Sequence, residues 1–371
     1  MAGYMLANLP GQPVKRTRVL DLPNKPQPAN LQAPATTEIL KPIWQRLLRI
    51  STVGVDDNFF ELGGDPSSAV RLASEITNIA GRQFRPEMLY TASTINLLAE
   101  LLESPDPFRL APLIPLTIGS EEPPVFVTHG LGGSIMELFH IIKHVRSRHP
   151  IYGLQARGLD DLDRPFEHVE EIADSHLETI KKRQAHGPYH LIGDSFGGLV
   201  MLEVARRLSE DGERVGFVVL LDSYPDTRYM FLSQQLRLFA WRVGRRILKS
   251  LGIKVPESVT PDRADGVWFP VPTARMVDSG FRALASYRPR PYSGTVKFVK
   301  AATRTVFPAN PRAVWDHLVD KLEVETVPGH HLELLTTLAE PLAEVLSGYI
   351  ADAFPPHIHR GEKVDQVGMS R

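Results

Sequence analysis

The sequence predicts two domains, a small helical bundle followed by a larger α/β domain with a mostly parallel sheet. Three observations carry that expectation. Apolar residues recur at helical spacing from about Thr37 to Ser104. Two proline-rich stretches bracket that region, and beyond the second one short apolar runs alternate with helical segments, as in a sheet wound by crossover helices. At 371 residues the chain is also long enough to bury two separate cores. The expected divisions are a linker over 1–34, the helical domain over 35–106, the α/β domain over 107–355 and a tail over 356–371.

The opening stretch "LPGQPVKRTRVLDLPNKPQPANLQAPATT" has no helical or strand period and reads as linker. Three helical segments follow: "EILKPIWQRLLRI", "SSAVRLASEITNIAG" with its terminal glycine stop, and "TINLLAELLE". The break "SPDPFRLAPLIPL" then hands over to six strand-like runs, "PVFVTHG", "PIYGLQA", "YHLIGDS", "GFVVLLDS", "GTVKFVKA" and "LEVETVPG".

Composition narrows the chemistry. Forty-two basic residues against 43 acidic ones leave no charge excess of the kind that binds nucleic acid. No run of about 18 apolar residues could span a membrane, and the first residues lack the pattern of a secretory signal. The expectation is a cytoplasmic protein without membrane or nucleic-acid partners. The sequence has no cysteine, which excludes disulfides, thiolate metal sites and a cysteine nucleophile. No metal and no directly bound cofactor is expected, and serine becomes the first candidate for covalent chemistry.

That serine is found in Gly193-Asp194-Ser195-Phe196-Gly197-Gly198, between the strand "YHLI" and the helical segment "LVMLEVARRLSEDG". Strand, G-x-S-x-G, helix is the setting of a nucleophile elbow, where glycines relieve crowding at a sharp turn. No lysine follows the glycines as a phosphate loop would require. Ser195 needs a base, and "VPGHHLELL" offers His330 and His331 after a late strand. It also needs an acid to orient that base. The residues after "GTVKFVKA" hold no carboxylate before Asp316, whereas Asp222 closes the strand that follows the elbow helix, with Asp226 the weaker substitute. The oxyanion donors expected are the backbone N–H of Phe196 and one from the loop "THGLGGS", Leu131 ahead of Gly132, with His129 structural.

From about Pro123 to Ala353 these motifs, in order with "YRPRPYSGTV", resemble the thioesterase domain that ends nonribosomal peptide synthetases and related megasynthases. The resemblance implies an α/β-hydrolase fold with a helical lid. It implies release of acyl or peptidyl chains from phosphopantetheine thioesters through an acyl-Ser195 intermediate, by hydrolysis or cyclisation. It selects His331 over His330 and agrees on Asp222. Asp194 departs from the bulky aromatic residue usual there, and a solvent-facing side chain is the expectation. The fifty residues after Asp222 fall where the family places its lid. Within them Leu232, Leu236, Phe239, Val243 and Ile247 recur at helical spacing, with Arg237, Arg242, Arg245, Arg246 and Lys249 on other faces, a basic amphipathic helix.

The helical domain resembles a peptidyl carrier protein over "TEILKPIWQRLLRISTVGVDDNFFELGGDPSSAVRLASEI" and "YTASTINLLAELL", and the residues before it faintly resemble the tail of an adenylation domain. The carrier pattern places the phosphopantetheine-bearing serine directly after "GGD", at a helix N-terminus that stabilises the phosphodiester. Pro66 stands there instead. Proline suits a first helical turn behind Asp65 as N-cap, so the fold survives and the attachment does not. Ser67 is the displaced alternative, rotated by about 100° around the helix. The expected substrate is therefore phosphopantetheine-bound acyl groups on other carrier domains of a synthetase, handled in trans.

Overall fold

A computed structural model describes residues 33–225, 274–303, 310–331, 333–335 and 338–354. The expected linker and tail, and the basic amphipathic lid helix, lie outside the described residues.

The first domain is built from α1 (Ala33–Leu48), α2 (Pro66–Ala80), a 3-10 helix (Pro86–Tyr90) and α3 (Ile95–Glu103). Their apolar faces converge on Leu40, Trp44, Phe59, Leu72, Ile76 and Leu98, all buried. Trp44 meets the edge of Phe59 with ring centroids 5.1 Å apart. The start of α2 follows from its sequence. Asp65 Oδ1 accepts from the Ser68 N–H at 2.7 Å, and Ser68 Oγ accepts from the Asp65 N–H at 2.8 Å, a reciprocal cap. Pro66 occupies the first helical position, where a missing N–H costs nothing. Gly81 ends the helix at φ 65°, in the left-handed region.

Among the described residues the second domain holds a seven-stranded sheet in the order β1-β3-β2-β4-β5-β6-β7. The strands are β1 (Leu113–Thr117), β2 (Val125–Thr128), β3 (Ile151–Leu154), β4 (Tyr189–Asp194), β5 (Val215–Leu221), β6 (Tyr292–Ala301) and β7 (Val319–Val327). Six run parallel; β1 pairs antiparallel with β3 at the edge. The sequence reading places no strand there, because Pro112 and Pro115 make the segment look like a break. An edge strand tolerates proline, since only one side of it must donate to the ladder.

Helices cover both faces. On one side α4 (Val169–Arg183), α5 (Phe196–Glu210) and α6 (Ala274–Ser286) flank a core that includes Leu191, Leu199, Val204, Val218 and Phe298. On the other, α7 (Ala339–Ala353) and the turn Phe139–Ile142 cover Val127, Ile192, Val219 and Leu346. Because side chains alternate along β4, Asp194 shares the face of Ile192.

The two domains are in contact. Met136, from the α/β domain, is 1% exposed and belongs to the core cluster of the helical domain. Phe60 stacks on Tyr90 at 4.7 Å and leans on Phe139 at 5.8 Å. Arg85 pairs with Asp161 across that boundary, and just inside the second domain Arg109 pairs with Asp163 at 2.7 Å and the Leu110 N–H donates to Asp160 Oδ2 at 3.1 Å. No helix among the described residues is long and apolar enough to cross a membrane.

Candidate active site

The C-terminal edge of the sheet gathers the candidate residues. Ser195 follows β4 directly and has φ 50° and ψ −114°, a strained conformation for a residue with a side chain. Its N–H donates to the Leu221 carbonyl at 2.9 Å, which anchors the turn to β5. The elbow glycines have no space for side chains. A Cβ on Gly193 would sit 2.4 Å from the Gly197 carbonyl oxygen, and one on Gly197 would sit 2.2 Å from the His129 carbonyl oxygen. The second contact is the close approach that lays the loop after β2 against the N-terminus of α5.

Asp222 follows β5 with φ 45°, its N–H donating to the Val299 carbonyl of β6 at 2.8 Å. That geometry turns the carboxylate toward the loop after β7. There His331 Nδ1 lies 2.8 Å from Asp222 Oδ2, both residues buried. Burial works against the imidazolium, but the hydrogen bond and charge of Asp222, with the charge of Asp194, outweigh it and raise the His331 pKa. His330 points elsewhere: its N–H donates to Glu333 Oε2 at 2.9 Å and its ring lies 3.3 Å from Glu333 Oε1. Asp316 is exposed beside Arg312, at the end of the helical turn Arg312–Trp315. The expected Ser195, Asp222 and His331 therefore lie together on one edge, at the ends of β4, β5 and β7.

Asp194 departs from expectation. It does not face solvent; it is 5% exposed, and burial pushes its pKa up to about 7, Asp222 adding to the rise and His331 opposing it. The physical reason is its strand. The β4 residues are buried along their whole length, so the residue before the elbow has solvent on neither face.

Leu131 is buried in the loop between β2 and the 3-10 helix Ile135–Leu138, and Phe196 is the first residue of α5. Both line a narrow cavity with Phe166, Ile172, His176 and Met276. His129 is buried with its Nδ1 2.7 Å from the Gly130 carbonyl; burial lowers its pKa to about 4, so it is a neutral donor to its own loop. Glu137 turns its carboxyl inward, with Oε1 1.9 Å from where a Cβ on Gly132 would sit. Burial, then Asp194 and Glu87, push its pKa up to about 8, against a hydrogen bond from the Gly130 backbone. The sequence reading passes over both Glu87 and Glu137. The available signal was an acid inside the otherwise apolar "SIMELF". In the helical domain Pro66 is buried and Ser67 half-buried.

Comparison with known proteins follows the same division. The phosphopantetheine attachment site family matches residues 38–102 and the thioesterase domain family residues 123–238. Malpibaldin synthetase of Mortierella alpina is 29% identical over 303 residues, 80% of this chain and 5% of the synthetase. The dimodular nonribosomal peptide synthase of Bacillus subtilis (strain 168) is 36% identical over 190 residues, 51% of this chain and 8% of the synthase. This chain thus spans only a small part of the length of either. Among solved structures, a four-domain nonribosomal peptide synthetase bound to AMP and glycine is similar in fold, with TM-score 0.54 and 24% identity, covering 93% of this chain and 27% of that one.

Proposed function

We propose a reaction for a chain that joins a phosphopantetheine-binding-type carrier domain to an α/β-hydrolase thioesterase domain, both related to those of nonribosomal peptide synthetases: it releases acyl or peptidyl chains from carrier-bound phosphopantetheine thioesters through an acyl-Ser195 intermediate. The observation that carries this reading is the 2.8 Å hydrogen bond between His331 and Asp222 at the sheet edge that also presents the Ser195 elbow.

Ser195 Oγ attacks the thioester carbonyl as His331 Nε2 takes its proton. Asp222 holds the ring with Nδ1–H toward itself and stabilises the imidazolium that forms. The carbonyl oxygen, now an oxyanion, accepts from the Phe196 and Leu131 N–H groups. Collapse of that intermediate breaks the C–S bond, and His331 returns the proton to the leaving phosphopantetheine thiol. Water, or a nucleophile within the chain being released, then attacks the acyl-serine with His331 again as base.

The donor is another protein's carrier. Pro66 has no hydroxyl to bear the arm, so this chain's own carrier-type domain brings no cargo, and the thioesterase acts in trans within a nonribosomal peptide or polyketide type of assembly.

The test combines trapping and turnover. A fluorophosphonate should add its mass at Ser195, and acyl groups offered on a loaded carrier protein should be released by the wild type and accumulate on no other residue. Ser195→Ala should end turnover, and Asp222→Asn should lower kcat by about 10⁴-fold, as in serine triads generally. A wild type inert to the fluorophosphonate, or hydrolysis of simple esters far faster than of carrier-bound thioesters, would sink the reading.

A further inference from the structure

The loop over residues 130–134, which in the proposed reaction carries an oxyanion donor, is braced by a residue of the other domain. Ser134 Oγ donates to Glu87 Oε1 at 2.7 Å. Glu87 belongs to the carrier-side 3-10 helix Pro86–Tyr90, and both residues are 1% exposed. Among the described residues the other carboxyl oxygen, Glu87 Oε2, is buried with no hydrogen-bond partner, so the Ser134 hydroxyl is the compensation this buried group receives there. Ser134 also accepts from the Met136 N–H at 3.2 Å, which starts the next 3-10 helix and fixes where the loop ends.

The rest of the loop has no slack. The Gly133 N–H closes a turn on the Gly130 carbonyl at 3.3 Å, the Ala156 N–H donates to the Gly133 carbonyl at 3.1 Å, and the Ile135 N–H donates to Gln155 Oε1 at 3.0 Å. Glu137 fills the space under Gly132. A shift of Ser134 would therefore be passed to Leu131 and Gly132, three and two residues away, rather than absorbed.

We infer that the carrier-type domain is a fixed positioning part of the thioesterase: Glu87 holds Ser134 and so sets the loop that stabilises the oxyanion. The inference rests on the acyl-serine reading above. A carrier that delivers cargo must leave each partner in turn. This one has Pro66 at the attachment position, packs Met136 of its neighbour into its own core, and inserts an acid that, among the described residues, its neighbour satisfies. Its retention is explained by what it holds in place.

The test uses a substrate that needs no carrier, octanoyl-N-acetylcysteamine, with the full chain. Glu87→Ala and Ser134→Ala should each lower kcat by about 10–100-fold, less than the loss of an entire oxyanion donor, with KM little changed. Glu87→Gln, which still accepts from Ser134, should recover most of the rate. Fluorophosphonate labelling of Ser195 should slow in parallel, since that reaction uses the same donors. An unchanged kcat in Ser134→Ala, a change confined to KM, or a Gln variant as slow as the Ala variant would overturn the inference. If Glu87→Ala does not fold, Ser134→Ala and Glu87→Gln carry the same comparison. A wild type that neither labels nor turns over would overturn both this inference and the reading of the site; a wild type that does both, matched by Ser134→Ala, overturns this inference alone.

Discussion

Asp194 concentrates the residue-scale consequences of the fold. Its carboxyl is buried beside the Asp222–His331 pair, and its charge is one of the causes that raise the His331 pKa. In the proposed reaction His331 must be neutral to take a proton from Ser195, so the acid limb of kcat/KM should lie above the ordinary histidine value of about 6.5. Removing the Asp194 charge removes part of that stabilisation of the imidazolium. Asp194→Asn is therefore expected to move the acid limb to lower pH, read from a pH profile on a small thioester. A limb that stays put, or moves up, would show that Asp194 does not act on His331.

At the scale of the element, α2 shows how a helix start can keep its fold with no hydroxyl at position 66. The Asp65–Ser68 cap stabilises the first turn whatever residue stands at position 66. Asp65→Ala is expected to cost about 1 kcal/mol, seen as a lower denaturation midpoint. Phosphopantetheine loading is a separate matter. With coenzyme A and a broad-specificity phosphopantetheinyl transferase the wild type should gain no mass, and Pro66→Ser should gain one phosphopantetheine. Pro66 is buried where it stands, so the rate of loading would also report how often this turn becomes accessible. Wild-type loading that vanishes in Ser67→Ala would place the attachment one residue on and remove the main support for action in trans.

Across the whole molecule, two acids with inward carboxyls, the buried Asp194 and the half-buried Glu137, link stability to pH. Asp194 and Glu137 titrate near 7 and 8 in the folded chain, whereas unfolded carboxyls titrate near 4. A folded pKa above the unfolded one means the folded state holds more protons between those values. The associated stability is complete below about pH 4 and is lost as pH rises through 7 and 8. The apparent Tm should consequently fall between about pH 4 and pH 8, and the double variant Asp194→Asn, Glu137→Gln should flatten that slope. An equally steep slope in the double variant would assign it to other groups.

The sequence by itself marked the order of domains, the elbow at Ser195 and Asp222 as the candidate acid, because each is written in local pattern: helical spacing, a glycine-relieved strand-to-helix turn, a carboxylate at a strand end; between His330 and His331 only the family resemblance chose. The sequence also determined that position 66 lacks a hydroxyl. It did not reveal β1, whose prolines mark an edge as plainly as they mark a loop. Nor did it reveal the burial of Asp194, which depends on β4 lying at the centre of a sheet covered on both faces, or the meeting of Glu87 with Ser134. Those residues are 47 positions apart, and although Ser134 closes the "THGLGGS" loop, Glu87 stands in no motif. Their contact exists only because the helical domain packs against the loop after β2, and burial, which turns an ordinary surface acid into a structural one, is a property of that packing.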